Sequence, residues 1–226
     1  MIKKFTVTKK IQLNNDVFEI HYYSEDKIEM LPGQFITFIL PKIWGRAYSI
    51  LEQKWNNTIL VIKKVKKENG WRWWSIFLCD ADIWDEFNWV GPAGHFVLRN
   101  SDNNKLFMGT WTGLVPLYNQ IITWLERWDK SEYTLVFGSR KKEDLFYVQN
   151  LENLEKKYSN FKYIIYLSRE ETDLSKKWYV TDFIQKDSVK KIDEFYICWM
   201  PNMINSSLEI LKEKWIDDDK IFFEKY

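Results

Sequence analysis

The apolar residues of this chain change rhythm once, near residue 100, and that change decides what it can fold into. Before it they come in short runs at 2–10, 17–23, 34–40, 58–65, 87–90 and 96–98, parted by Asn, Asp, Gly and Pro. One short helical stretch, 75–81, interrupts them. Many short strands with turn residues between them predict a small antiparallel barrel. Beyond residue 104, apolar runs at 105–108, 133–137, 161–166 and 194–198 alternate with helical stretches at 114–124, 151–158 and 202–214. Strand and helix in alternation predict a parallel, doubly wound sheet. The expected fold class is β followed by α/β, with an antiparallel β-barrel domain at 1–100 and a parallel-sheet domain at 101–226. The polar stretch Asn100-Ser101-Asp102-Asn103-Asn104 links them.

Charge narrows the partners. Thirty-three basic and 32 acidic residues leave a net charge of +1, which supplies no electrostatic reason for nucleic acid or an anionic membrane surface. No apolar stretch reaches 18 residues, and the opening MIKKFTVTKK alternates like a strand rather than a signal peptide. A cytoplasmic protein without membrane insertion is expected, with Cys79 and Cys198 as reduced thiols. Two cysteines and two distant histidines, His21 and His95, make no metal site.

Glycine and tryptophan are out of proportion. A chain this long would carry roughly 16 glycines at about 7% usage. It has 8, and 13 tryptophans, together a normal glycine complement. Trp55, Trp128 and Trp215 fall in polar turn contexts, the last two just past apparent helix ends, where a left-handed residue is wanted. The pattern predicts glycine at many of these positions in the living protein, as when a UGA codon that the host decodes as glycine is written as tryptophan.

Three segments carry candidate chemistry. Residues 108–116 read MGTWTGLVP between an apolar run and a helical stretch. A strand that passes through a Thr/Gly turn into a helix presents backbone N–H groups to a phosphate, and only bare backbone lets the phosphate close in. Gly45-Arg46-Ala47-Tyr48-Ser49 places a guanidinium, a ring and a hydroxyl on one extended segment, enough to hold a flat anionic cofactor. An edge strand with a surface Arg and a half-buried Tyr would look the same. Gly70-Trp71-Arg72-Trp73-Trp74-Ser75 opens a helix; with glycine at 71 and 74, or at 73 as well, it would hold a pyrophosphate on backbone amides.

Taken in order, RAYS, IKKV, WWSIFLCD, GPAGHF, GTWTGLVP and CWMPNM resemble the ferredoxin–NADP⁺ reductase superfamily over essentially the whole chain. The resemblance implies an antiparallel barrel that binds FAD and a Rossmann-like domain that binds NADP or NAD. It also implies glycine where Trp111 and Trp199 are written. By that likeness Arg46 binds the FAD pyrophosphate, Ala47 belongs to the cofactor site, Tyr48 stacks on the flavin, and Ser49 approaches its N5 edge. Val61, Ile62 and Lys63 line the cofactor, and Trp73, Trp74 and Ser75 form its pyrophosphate turn. Gly109, Thr110, Trp111, Thr112, Gly113 and Pro116 take the nucleotide pyrophosphate, with the Gly138-Ser139-Arg140 turn skirting the nucleotide. Cys198, Trp199 and Met200 lie near the nicotinamide. Tyr226 stacks on the flavin and Glu224 helps to position the nicotinamide, unless the chain simply ends in an edge strand.

Ser168, Arg169, Lys177 and Tyr179 are suited to the 2′-phosphate of NADPH, although Glu170 and Glu171 stand beside them. Ser49, Cys198 and Glu224 are the expected catalytic residues of a hydride transfer between NAD(P)H and FAD. A separate ferredoxin or flavodoxin would exchange the electrons, with the chain a monomer or part of a small complex. The alternative is a flavin-binding electron-transfer subunit or sensor without pyridine-nucleotide turnover.

Overall fold

The computed structural model describes residues 2–40, 43–65, 73–127, 129–186 and 189–225, without the side chains of Leu40, Ile43, Trp44 and Trp73. The chain divides into two compact units, Met1–Leu98 and Arg99–Tyr226.

The first unit is a closed barrel of six antiparallel strands in the order β1-β2-β5-β4-β3-β6. These are β1 (Lys3–Gln12), β2 (Val17–Tyr23), β3 (Phe35–Leu40), β4 (Ile43–Lys54), β5 (Asn57–Lys63) and β6 (Glu86–Ala93). Helix α1 (Trp73–Asp80) lies between β5 and β6 in sequence. Closure removes the free strand edges that an open sheet would expose. The core is aromatic: Phe5 stacks on Trp89 with centroids 4.6 Å apart, and Phe38 meets Tyr22 and Phe87 at 5.5 and 5.8 Å. Two expectations need correction. Residues 96–98 are not a strand, whereas the strand β4 was not foreseen beyond its extended RAYS segment. Alternation in β4 is broken by a register shift, so its apolar pattern does not read cleanly.

The second unit is a six-stranded, wholly parallel sheet in the order β10-β9-β8-β7-β11-β12. Its strands are β7 (Lys105–Thr110), β8 (Tyr133–Ser139), β9 (Phe161–Leu167), β10 (Lys176–Lys177), β11 (Glu194–Trp199) and β12 (Ile221–Lys225). The helices are α2 (Leu114–Leu125), α3 (Val148–Lys157), α4 (Thr181–Lys186) and α5 (Pro201–Glu213). β7 and β8 are buried along almost their whole length, as expected of strands covered on both faces. On one face Leu106, Met108, Val136, Phe195 and Ile197 pack with Ile184, Ile204 and Leu211. On the other a row of stacked rings, Tyr133–Phe107–Tyr196–Phe222, crosses four neighbouring strands at 5.5, 5.3 and 4.8 Å.

Where the chain enters this unit, a buried polar cluster holds it in place. The ammonium of Lys105 donates to the carbonyls of Ser101 and Asn103 at 2.8 and 2.7 Å. Glu194, also buried, accepts from Ser101 Oγ, Asn103 Nδ2 and the Tyr196 hydroxyl at 2.8–2.9 Å.

Candidate functional site

Gly109, Cys198 and Glu224, which lie far apart in sequence, fall on one row of the parallel sheet. Cys198 on β11 is in register with Gly109 on β7 and with Glu224 on β12. Between β7 and β11 the strand order reverses: β8, β9 and β10 extend to one side and β12 to the other. In an open parallel sheet this reversal leaves a crevice at the carboxyl ends of the strands, and ligands bind there.

Two turns edge the crevice. β7 passes through Thr110 into a tight turn, Trp111–Gly113, and then into α2. β11 passes through Trp199 and Met200 into α5, with Pro201 at its first position. Neither helix has a side-chain cap or an acidic residue in its first turn. Their first N–H groups and the positive ends of their dipoles therefore favour an anion. The two turns nearly touch. A Cβ at Gly113 would stand 2.6 Å from Trp199 Cβ and 2.7 Å from the Cys198 carbonyl. One at Gly109 would stand 2.7 Å from Leu117 Cδ1. Thr112 and Pro116 are buried behind the turn.

The hydroxyl oxygens of Thr110 and Ser139, at the ends of neighbouring strands β7 and β8, are buried without a hydrogen-bond partner. An unmade hydrogen bond of this kind costs about 1–3 kcal/mol. Two at one edge of the sheet mark a place that fits the polar oxygens of a ligand. The Arg140 guanidinium lies 5.1 Å from the centre of the Trp111 ring. Cys198 is fully buried, and its thiol is pushed well above the ordinary range, first by burial and then by the Glu224 carboxylate. At neutral pH it is a protonated thiol and no nucleophile.

On the far side of the sheet, Ser168 and Arg169 donate their amide N–H groups to the carbonyls of Ser139 and Arg140, each at 3.0 Å. Lys177 pairs with Leu167. Ser168, Arg169, Lys177 and the exposed Tyr179 thus gather at the carboxyl ends of β9 and β10. The Glu170 carboxylate accepts the Lys142 amide N–H.

In the barrel, Arg46, Ala47, Tyr48 and Ser49 follow one another on β4 opposite Phe38, Thr37, Ile36 and Phe35. Arg46 is exposed and Ser49 buried, and the half-buried Tyr48 ring meets Phe38 edge-on at 5.9 Å. Burial raises the Tyr48 phenol well above its ordinary value, while Arg46 nearby draws it down. Val61 and Ile62 are buried, Ile62 within the barrel core, and Lys63 is half-buried. In the first turn of α1, Trp74 packs into the core and Ser75 Oγ accepts the Val65 N–H at 3.0 Å. Residues 70–72, the side chain of Trp73, and Tyr226 lie outside the described residues. Ser49 belongs to the first unit, Cys198 and Glu224 to the second.

At Gly138, in the turn expected to skirt the nucleotide, a Cβ would stand 2.5 Å from Val180 Cγ1 and 3.0 Å from Thr110 Cγ2, a closeness that the sequence alone does not show.

Residues 107–208, which span both crevice turns, match the oxidoreductase NAD-binding domain family. The whole chain superposes on ferredoxin-NADP⁺ reductase from Plasmodium falciparum with a TM-score of 0.84, covering 100% of this chain and 96% of that one at 23% identity. Residues 107–208 thus match an oxidoreductase NAD-binding domain, and the chain as a whole has the fold of ferredoxin-NADP⁺ reductase. The same fold appears in the Amycolatopsis cytochrome P450 reductase GcoB, with a TM-score of 0.89 at 20% identity over 100% of this chain and 69% of that one. In sequence the chain is 26% identical over 204 residues to the electron transfer component of 2-halobenzoate 1,2-dioxygenase from Burkholderia cepacia. The match takes in 88% of this chain but 60% of that relative's length. The expected barrel followed by a Rossmann-like sheet is thus the fold that these solved structures share.

Proposed function

We propose that this chain is a flavoprotein reductase that moves hydride between NAD(P)H and FAD and exchanges single electrons with a separate ferredoxin or flavodoxin. The observation that carries the reading is the crevice between β7 and β11. There two uncapped helix N-termini, the close-packed Gly109 and Gly113, and the orphaned hydroxyls of Thr110 and Ser139 converge. That set fits a nucleotide diphosphate, held by backbone N–H groups with Thr110 and Ser139 donating to its oxygens.

Cys198 and Glu224 stand in the row at the foot of the crevice. The thiol keeps its proton and offers a compact, weakly polar wall to a flat ring. On the barrel, Arg46 would take a phosphate of FAD, the neutral Tyr48 phenol would lie against its ring system, and Ser49 would offer a hydroxyl. FAD, when bound, accepts a hydride and gives up its electrons one at a time.

Ser168, Arg169, Lys177 and Tyr179 support NADPH over NADH. The Glu170 carboxylate is engaged with the Lys142 amide, which eases its conflict with a 2′-phosphate. The dioxygenase electron transfer component and the ferredoxin-NADP⁺ reductase among the relatives support a ferredoxin-type acceptor. Buried free thiols at Cys79 and Cys198 favour the reducing cytoplasm, and among the described residues no helix is long and apolar enough to cross a membrane.

Anaerobic titration tests the reading. The FAD-loaded protein should be yellow and should bleach on addition of NADPH, and Arg169→Ala should raise KM for NADPH while leaving KM for NADH in place. A flavin that neither nucleotide bleaches overturns the reductase. A second reading, an electron-transfer subunit or sensor without nucleotide turnover, is favoured by the indoles written at Trp111 and Trp199 on the two crevice turns.

A further inference from the structure

Among the described residues, seven that are not glycine have a positive φ, and six of the seven are tryptophan. They are Trp55 at 56°, Trp84 at 80°, Trp111 at 54°, Trp178 at 101°, Trp199 at 111° and Trp215 at 60°. We propose that residues 55, 84, 111, 178, 199 and 215 are glycine in the protein that its host makes, specified by a codon that the host decodes as glycine and that is written here as tryptophan. An L-residue at positive φ presses its Cβ against the backbone, and a bulky side chain has no local hydrogen bond to offset this, so glycine is the ordinary occupant.

Local geometry asks for glycine independently at three of these places. Trp215 follows the end of α5. Its N–H bonds to the Lys212 carbonyl at 3.0 Å and that of Ile216 to the Leu211 carbonyl at 3.1 Å. That pair of bonds defines the Schellman ending, whose left-handed position is usually glycine. Trp55 is the first central residue of the two-residue hairpin closed by the Lys54–Asn57 pair, and a left-handed residue there is also typically glycine. Trp84 is the third residue of a turn closed by the Asp85 N–H on the Asp82 carbonyl at 3.2 Å, where a φ of 80° calls for glycine. At 178 and 199 the φ values lie beyond the left-handed well and match those of Gly33 (100°) and Gly94 (108°).

Nor do most of these side chains gain from burial. The residues at 55, 84 and 215 are 87%, 74% and 92% exposed, and 178 is 54% exposed. Tyr147, the seventh residue, differs: its ring packs on Tyr118 and Phe146 at 5.5 Å each. Trp74 and Trp89 differ as well, since both are buried in the barrel core and neither has a positive φ. Among the described residues, Trp74 and Trp89 are therefore placed by packing, and the six at positive φ stand where the backbone wants no side chain.

At 111 and 199 the proposal deepens the nucleotide reading and rests on it: glycine there would clear both crevice turns and bare their amides to a diphosphate. At 55, 84, 178 and 215 it rests on backbone geometry alone.

Peptide mapping by mass spectrometry of protein isolated from its own host is the test. Glycine is expected at all six positions, and tryptophan retained at any of them overturns the proposal. In a recombinant comparison, the chain with all six changed to glycine should melt at a higher temperature than the chain as written; an equal or lower midpoint also overturns it. The two readings fail separately. Glycine at all six with a flavin that no pyridine nucleotide bleaches would leave this inference standing and remove the reductase.

Discussion

At Gly113 the backbone is ordinary right-handed helix, φ −63°, and yet a side chain is excluded. Its α-carbon faces the end of β11 so closely that a methyl group would stand 2.7 Å from the Cys198 carbonyl. The glycine is there for proximity, whereas those expected at 111 and 199 serve conformation. Replacing Gly113 by Ala should push the two crevice turns apart, at a stability cost of about 1–3 kcal/mol for overpacking. Weakened NADPH binding at a preserved FAD content is the expected result by equilibrium titration. Unchanged affinity would mean that the gap between the turns does not shape the site. Gly109 and Gly113 were legible as a phosphate turn because glycine spacing survives in sequence. That Gly138 is closed to a side chain was not, because what excludes one is Val180, 42 residues further along the chain.

The elements obey the same logic of local need against tertiary demand. The long parallel strands and the helices α2, α3 and α5 could be read from their apolar runs to within a few residues, since burial on both faces and helical periodicity are strong signals. The short elements β10 and α4 were not foreseen; too few residues stand in either to show a period. The ending of α5 offers a clean test at this scale. Trp215→Gly should stabilise the second unit by about 1 kcal/mol, the cost of a left-handed residue with a side chain, and denaturant unfolding would read it. Trp89→Gly should do the reverse, losing about 3–5 kcal/mol by emptying the space beside Phe5. The entry to β7 makes a second test. Burial draws the Lys105 ammonium below its ordinary pKa, and it remains bonded to two carbonyls of the 101–103 segment with Glu194 as its principal counter-charge. Lys105→Met would leave those carbonyls and a buried carboxylate uncompensated, a loss of about 3 kcal/mol. Hydrogen exchange should then quicken first at residues 101–106 and 131–134.

For the whole molecule, both units hide acids that ionise above neutrality, which ties stability to alkaline pH. Burial raises the Cys79 thiol in the barrel from 9.0 to about 12, and the Cys198 thiol in the sheet goes well above 9.0. The phenols of Tyr22, Tyr48, Tyr133 and Tyr196 are likewise raised, chiefly by burial. For each of these groups the folded state holds its proton longer than the unfolded chain does. Below pH 9 both states are protonated and the contribution is fully present. Above it the unfolded chain binds fewer protons, so stability falls as pH rises. Cys79 alone, raised from 9.0 to about 12, contributes on the order of 4 kcal/mol that is lost across that interval. Lys105 works in the opposite sense, because its lowered pKa makes folding easier once the ammonium deprotonates. One such group stands against several acids, so the net slope should be negative from about pH 9 upward. Urea midpoints measured between pH 7 and 11 should be level at first and then decline in both units. Cys79→Ala should flatten the decline in the barrel only, since Cys198 belongs to the other unit. Midpoints that stay level to pH 11 would show that water reaches these thiols and phenols in the folded protein.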